Sequence, residues 1–158
     1  RPPHRDPPRR GRRLMLAEIE QSLVAYIKAS PLAARLRQVE ALPDLDGDNL
    51  VAKFGADAPA VYVALGGGEL QDGMAALTVG IACVARNSRS PQAARQGDGM
   101  QIGLLELVHE VVSLIHTAYI DDCSYLVIRW DPVASDALTR KGLYAAVVQA
   151  RTEGYYGS

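Results

Sequence analysis

The segment that most constrains the fold is residues 75–86, an apolar stretch that carries no charge before its last residue. Its alternation predicts a long β-strand. One face holds Leu77, Val79, Ile81 and Cys83, and the other holds Thr78, Gly80, Ala82 and Val84. The second face is small but hardly polar, so we expect a helix or another subunit to pack closely on it.

Two segments have the three- and four-residue periodicity of helices. Residues 14–30 predict an N-terminal amphipathic helix with Leu16, Ile19, Leu23, Tyr26 and Ile27 on its apolar side. Residues 100–119 predict a long central helix. The core stripe of the central helix is Leu104, Leu107, Val108, Val111, Ile115 and Ala118, widened by Leu105, Val112 and Leu114. A helix this apolar is expected to be buried on more than one side.

The remaining segments complete an α+β order. We predict strands over residues 37–42, 60–65, 125–130 and 143–151, and a short helix over 49–54. The triple glycine Gly66, Gly67 and Gly68 should end a strand and form a hairpin tip, and residues 87–99 should form a polar loop. The sequence therefore predicts one domain with a mixed or antiparallel sheet, packed by an N-terminal helix and a long central helix.

Charge divides the chain into two unlike parts. Residues 1–13 carry six arginines and one aspartate, a net charge of +5, whereas residues 14–158 carry a net −6. Four of the nine prolines lie in the first eight residues, which predicts an extended arm rather than a helix. Two interpretations stay open: an extension that precedes a natural start at Met15, or a functional arm. In the second, the arginines contact phosphate or an acidic neighbour; they are Arg5, Arg9, Arg10, Arg12 and Arg13.

No motif indicates an enzyme, a cofactor or a metal. Cys83 and Cys123 are too few for a disulfide scaffold, and we expect buried free thiols rather than a bridge. The alternating Asp44, Asp46 and Asp48 lack the glycine and the final glutamate of a calcium loop. His109 is followed by Glu110, but no second histidine completes a zinc motif. The apolar run 74–85 is shorter than the about 20 residues of a membrane span. We therefore expect no membrane partner and a soluble product that is intracellular or leaves the cell by a route other than secretion.

Several segments together resemble a known family. They are the opening helix from Met15, the strand ending in Val84-Ala85-Arg86-Asn87, the short segment Ala93-Ala94-Arg95, the glycine-initiated apolar helix and the two terminal strands. This order resembles the tail terminator, or tail completion, family of Mu-like contractile-tailed phages and prophages. The resemblance covers residues 15–151, and the basic arm has no counterpart in it.

The resemblance implies a structural protein of the virion rather than an enzyme. Tail terminators form a ring, typically a homohexamer, on the head-proximal end of the tail. The ring caps the tail tube, stops tube and sheath polymerisation and offers a docking surface to the neck. The implied partners are further copies of the chain, the tube protein, the sheath protein and the neck or connector proteins, after assembly in the host cytoplasm. An acidic lining would let genomic DNA pass through the ring without sticking.

Candidate contact residues lie in the loops and at the C-terminus. They are Gly66, Gly67, Gly68, Arg86, Arg89, Arg95, Tyr155 and Tyr156. Two alternatives stay open: a neck or head-completion protein, and a nucleic-acid-binding module that acts through the arm.

Overall fold

The computed structural model describes residues 16–43, 45, 57–86, 90–97 and 101–155. The first half contains helix α1 (Leu16–Lys28), a 3-10 helix (Pro31–Arg35) and strands β1 (Gln38–Ala41), β2 (Ala60–Gln71) and β3 (Met74–Arg86). The second half contains helices α2 (Pro91–Gln96) and α3 (Leu104–Ile115), strands β4 (Tyr119–Ile120) and β5 (Cys123–Pro132), helix α4 (Asp136–Arg140) and strand β6 (Leu143–Tyr155). The predicted single α+β domain is confirmed.

All six strands form one mixed sheet in the order β1-β2-β3-β6-β5-β4. Only β1 and β2 run parallel, and the other neighbours are antiparallel. The centre of the sheet is the pair β3 and β6, which stay in register from Met74 opposite Tyr155 to Arg86 opposite Leu143. The β2–β3 turn and the end of β6 therefore lie at the same end of the sheet. We call this the distal end, and the opposite one the proximal end.

Strand β3 separates two apolar cores. Leu77, Val79, Ile81 and Cys83 belong to the larger core, together with buried residues of α1 and α3. Ala82 and Val84 belong to the smaller core on the other face. The expectation that something packs on this second face is confirmed, and the cover comes from the same chain: Leu138 of α4 with Leu42, Leu45 and Ala58. This cover ends near Gly80, where Leu45 and Val147 lie.

The two predicted helices cover the first face of the sheet. The buried residues of α1 are Ile19, Leu23, Val24 and Ile27, whereas Leu16 and Tyr26, predicted on the apolar side, are 40% and 36% exposed. The central helix buries Leu104, Leu107, Val108, Val111 and Ile115 of its predicted stripe, but it is shorter than predicted and leaves Ala118 beyond its end. It ends at Ile115 because the backbone turns at Thr117, which has a φ of +65°, and Tyr119–Ile120 then pairs as β4 with Ser124 and Cys123.

The prediction for the triple glycine is wrong. Strand β2 continues through Gly66, Gly67 and Gly68 to Gln71, and the hairpin turns at Asp72 and Gly73. The register shifts between Leu65 and Gly67, so the glycines accommodate a β-bulge instead of ending the strand. The pairing with β3 on one side compensates for the low strand preference of glycine.

Two predicted loops contain short helices. Helix α2 lies within residues 87–99 and is capped by Ser90, whose Oγ accepts a hydrogen bond from the Ala93 N–H at 3.0 Å. Helix α4 lies between β5 and β6 and begins in the same way at Ser135. Strands β5 and β6 each extend beyond the predicted ranges. The predicted helix over residues 49–54 and the residues Asp44, Asp46 and Asp48 lie outside the described residues.

Candidate assembly surfaces

The structure does not bring the predicted contact residues together. Gly66, Gly67 and Gly68 lie in the distal half of β2, and Tyr155 is the last paired residue of β6. Arg86 lies at the proximal end, paired with Leu143, and the exposed Arg95 lies in α2. Arg89, Tyr156 and all five arm arginines fall outside the described residues. The glycine strand and Arg86 are thus at opposite ends of the sheet.

The glycines have close neighbours on one side only. A Cβ on Gly68 would lie 2.7 Å from the Ala76 carbonyl oxygen and 2.5 Å from Leu77 Cδ2. A Cβ on Gly67, whose φ is +137°, would meet nothing within 4 Å. The distal part of β2 therefore fits tightly against β3 and is open on its other side.

That other side is the first of two open sheet edges. The last residues of β1 pair with the beginning of β2, and Glu20 Oε2 then accepts a hydrogen bond from the Leu65 N–H at 2.9 Å. From residue 66 to residue 71, no strand in the described part of the chain pairs with this side of β2. Leu70, near the turn, is 65% exposed.

The second open edge belongs to β5. The backbone N–H of Tyr125 donates to the Ala118 carbonyl at 2.9 Å, and that of Val127 donates to Nδ1 of His116 at 3.0 Å. Nδ1 of His116 thus acts as a hydrogen-bond acceptor, which places the hydrogen of the neutral ring on Nε2. Beyond Val127, none of the described strands pairs with this side of β5.

The open part of β5 carries exposed apolar side chains. Leu126, Ile128 and Trp130 are 55%, 54% and 43% exposed. Ile128 occupies a β-bulge, because the register with β6 shifts between Val127 and Arg129. Leu126 is opposite Arg151 and Trp130 is opposite Val148, so the bulge places these two side chains on opposite faces of the sheet. Exposed apolar side chains along a sheet edge are typical of a contact surface. Sequence reasoning placed this strand but missed its exposure, since alternation alone does not tell which strand is at the edge.

A charged pair lies at the end of the same strand. Nε and Nη2 of Arg129 donate to the two carboxylate oxygens of Asp131 at 2.7 and 2.9 Å. The hydrogen bond lowers the pKa of Asp131 and raises that of Arg129. The opposite charges of Arg129 and Asp131 neutralise each other on either side of Trp130.

Both cysteines of the chain lie among the described residues. Cys83 and Cys123 are free and buried, as predicted, and burial raises the pKa of Cys83 to about 12. Burial also raises the pKa of Cys123. Within the described residues, no group of three or more His, Cys, Asp or Glu side chains could hold a metal ion. None of the described helices is long and apolar enough to cross a membrane.

Comparisons with known proteins agree with the resemblance. The family described as "Bacteriophage Mu, Gp37" matches residues 15–121. No protein with curated annotation matches. Among solved structures, a chain from the "Virion of native gene transfer agent (GTA) particle" is 14% identical, with a TM-score of 0.51. The match covers 86% of this chain and 95% of that chain, and at this identity it shows a shared fold. Because the family match spans well over half of the sequence, the chain belongs to the bacteriophage Mu Gp37 family.

Proposed function

We propose that this chain is a structural protein of a phage-type virion and acts there as the tail terminator. It forms a ring, a homohexamer, at the head-proximal end of the tail. The ring caps the tube, stops tube and sheath polymerisation and receives the neck. Family membership and the fold shared with a virion chain support the structural role. The terminator role rests on the resemblance together with the geometry of the sheet edges.

The observation that carries the ring is the pair of open edges on opposite sides of one sheet. Strands β2 and β5 run in opposite directions, because three antiparallel steps separate them. Placing the β5 edge of one copy beside the β2 edge of the next therefore creates an antiparallel pair. Such a contact joins two different surfaces, and a head-to-tail contact closes into a ring when its rotation fits.

The two open segments lie at different heights along the sheet. The open part of β2 is distal, whereas the open part of β5 extends from its middle to the proximal end, with Pro132 opposite Ala146. Neighbouring copies would therefore be staggered along the strand direction. The exposed Ile128 and Trp130 lie in this open part and would be covered by the next copy, which explains why a folded chain keeps large apolar groups at this edge.

The experiment is a comparison of assembly by native mass spectrometry and negative-stain imaging. The substitution Ile128→Lys puts a charge on the β5 edge and should abolish rings while circular dichroism stays unchanged. The matched control is Tyr26→Lys, which changes a 36% exposed apolar residue on α1 and should leave rings intact. Equal assembly of both variants would refute the edge-to-edge ring.

Binding to tails separates the terminator from a head-completion protein. A terminator should co-sediment with purified tails that lack heads, and a head-completion protein should instead bind filled heads.

Residues 14–158 carry a net −6, which supports a ring that lets DNA pass without holding it. A mobility-shift assay at two salt concentrations, with and without residues 1–13, tests the alternative of nucleic-acid binding through the arm.

A further inference from the structure

The distal end of the sheet is acidic. Asp72 lies in the β2–β3 turn, Asp121 and Asp122 form the β4–β5 turn, and Glu69 and Glu153 lie in one row, with Ala76 between them. In the described part of these distal strands and turns, Arg151 is the single basic residue. Its Nη2 lies 3.6 Å from Glu153 Oε1. The carboxylates at this end therefore exceed the basic groups by four.

Part of the adjoining sheet face has no cover among the described elements. The smaller core covers the second face only as far as Gly80. Distal to it, the same face presents Glu69 of β2, Met74 and Ala76 of β3, and Glu153 of β6. Met74 is 40% exposed, and Leu126, on the neighbouring part of β5, is 55% exposed. We call this surface the distal sheet face.

Helix α1 begins at the same end of the molecule. Glu20, in its second turn, accepts the hydrogen bond from Leu65, the residue before the distal part of β2. Beyond the C-terminal end of α1, the Arg37 N–H donates to the Pro59 carbonyl. Pro59 immediately precedes β2, which starts at the proximal end. The residues that precede α1 in the sequence are therefore attached at the distal end of this helix. They include residues 1–13, with their net charge of +5.

We propose that residues 1–13 dock across the distal sheet face of their own chain, with their arginines against Glu69, Asp72 and Glu153. Thirteen extended residues span about 40 Å, whereas Glu69 and Glu153 are two strand spacings, about 10 Å, apart. The arm is long enough to pass the open edge of β2 and cross the face. Its prolines can cover the exposed side chains of Met74 and Leu126. This inference does not depend on the terminator role.

Docking of this kind depends on many weak pairs. Each exposed ion pair contributes little, and salt screens it. The prolines keep the arm extended beforehand, so less conformational entropy is lost on docking than for a flexible segment. The arm should therefore be bound at low ionic strength and released at about 1 M salt, where the Debye length falls to about 3 Å.

A photocrosslinker on the arm tests the proposal in the full chain. His4→Cys gives a reactive thiol, because Cys83 and Cys123 are buried. A benzophenone maleimide at this position should crosslink to residues 66–78 and 151–155, as mapped by mass spectrometry, and the product should run as a monomer on a denaturing gel. A Lys141→Cys reporter at the proximal end should not crosslink to these residues.

Two charge variants with the same net change decide whether the carboxylates hold the arm. The triple variant E69Q/D72N/E153Q should reduce the crosslink yield about tenfold, the expected loss when several weak pairs are removed together. The control D57N/E110Q/D136N neutralises three exposed carboxylates elsewhere and should retain the yield. Crosslinks spread over the whole surface, equal yields in both triples, or a product of dimer mass would each overturn the proposal.

Discussion

Two buried hydroxyl groups in the larger core offer a sharp test of its energetics. Tyr125 and Thr152 are opposite each other on β5 and β6, and they are 0% and 1% exposed. Neither Tyr125 Oη nor Thr152 Oγ1 has a partner in normal hydrogen-bond geometry among the described residues, although the side chains of Thr152 and Ser22 lie near Tyr125 and lower its pKa slightly against the effect of burial. Burial raises the pKa of Tyr125, as expected for a phenol in apolar surroundings. The core thus holds two polar groups that cost free energy.

Replacing Thr152 by the isosteric valine should stabilise the protein. An unpaired buried hydroxyl costs about 1–3 kcal/mol, and valine fills the same volume with a methyl group. We expect the free energy of unfolding to rise by about 1–2 kcal/mol. For a domain of this size, the melting temperature should rise by about 2–4 °C per kcal/mol. Tyr125→Phe should act in the same direction, by about 1 kcal/mol.

The assay is equilibrium unfolding in urea at one fixed protein concentration, with a double-mutant cycle of the two substitutions. The matched control is Val79→Thr, which adds a hydroxyl to a fully buried position of the same core. It should lower the free energy of unfolding by about 1–3 kcal/mol. If Thr152→Val and Tyr125→Phe each destabilise the protein and couple by about 1 kcal/mol or more, the hydroxyls are hydrogen-bonded to each other or to a shared water, and the reasoning fails.

Three further predictions follow from single contacts. Gly103→Ala should lower the free energy of unfolding by about 2 kcal/mol or more, because a Cβ at the start of α3 would overlap the backbone of Gly97 and Gln96. Chemical denaturation measures this loss, and a loss below about 0.5 kcal/mol would contradict the prediction. Cys83 should react with Ellman's reagent only as fast as the protein unfolds, since burial raises its pKa to about 12; rapid reaction under native conditions would be inconsistent with this burial. Arg129→Gln should raise the pKa of Asp131, measured by carboxyl NMR titration, because the hydrogen bond from Arg129 is the main cause of its lowering. A lowered carboxyl pKa stabilises the folded state above the unfolded pKa and loses this effect as the pH falls through the folded pKa, so variant and wild type should converge in acid.

The sequence predicted most of the fold because its strongest patterns are long and periodic. The strand around Ile81 and the stripe of α3 are apolar over three or more turns or pleats, so burial fixes them. The prediction that the triple glycine ends the strand failed for a physical reason. Glycine weakens a strand locally, but eleven residue pairs between β2 and β3 outweigh that preference. Pairing with a distant strand is a tertiary effect that no local pattern contains.

The contact surfaces were harder to predict than the fold. Loop position and charge selected Arg86 and Arg95. The structure places Arg86 at the proximal end, away from the glycine strand, and Arg95 in helix α2. The segment with Leu126, Ile128 and Trp130 was predicted as a strand. The exposure of these side chains depends on the place of β5 at the edge of the sheet and on the short length of β4. Edge position follows from strand order, which is set by long-range pairing.

The way the two edges are protected argues for a selective contact. Folded proteins usually guard an open edge over its whole length with charges, bulges or a covering segment. Among the described residues, the protecting groups cover only part of each edge: Glu20 accepts a hydrogen bond from the Leu65 N–H, and His116 accepts one from the Val127 N–H. The bulge at Ile128 twists the remaining part of β5, so a flat strand from an unrelated chain pairs poorly with it. A neighbour whose own edge is bulged, as β2 is between Leu65 and Gly67, can match that twist. The same chain supplies both bulged edges, which is the condition for a specific head-to-tail contact between identical copies.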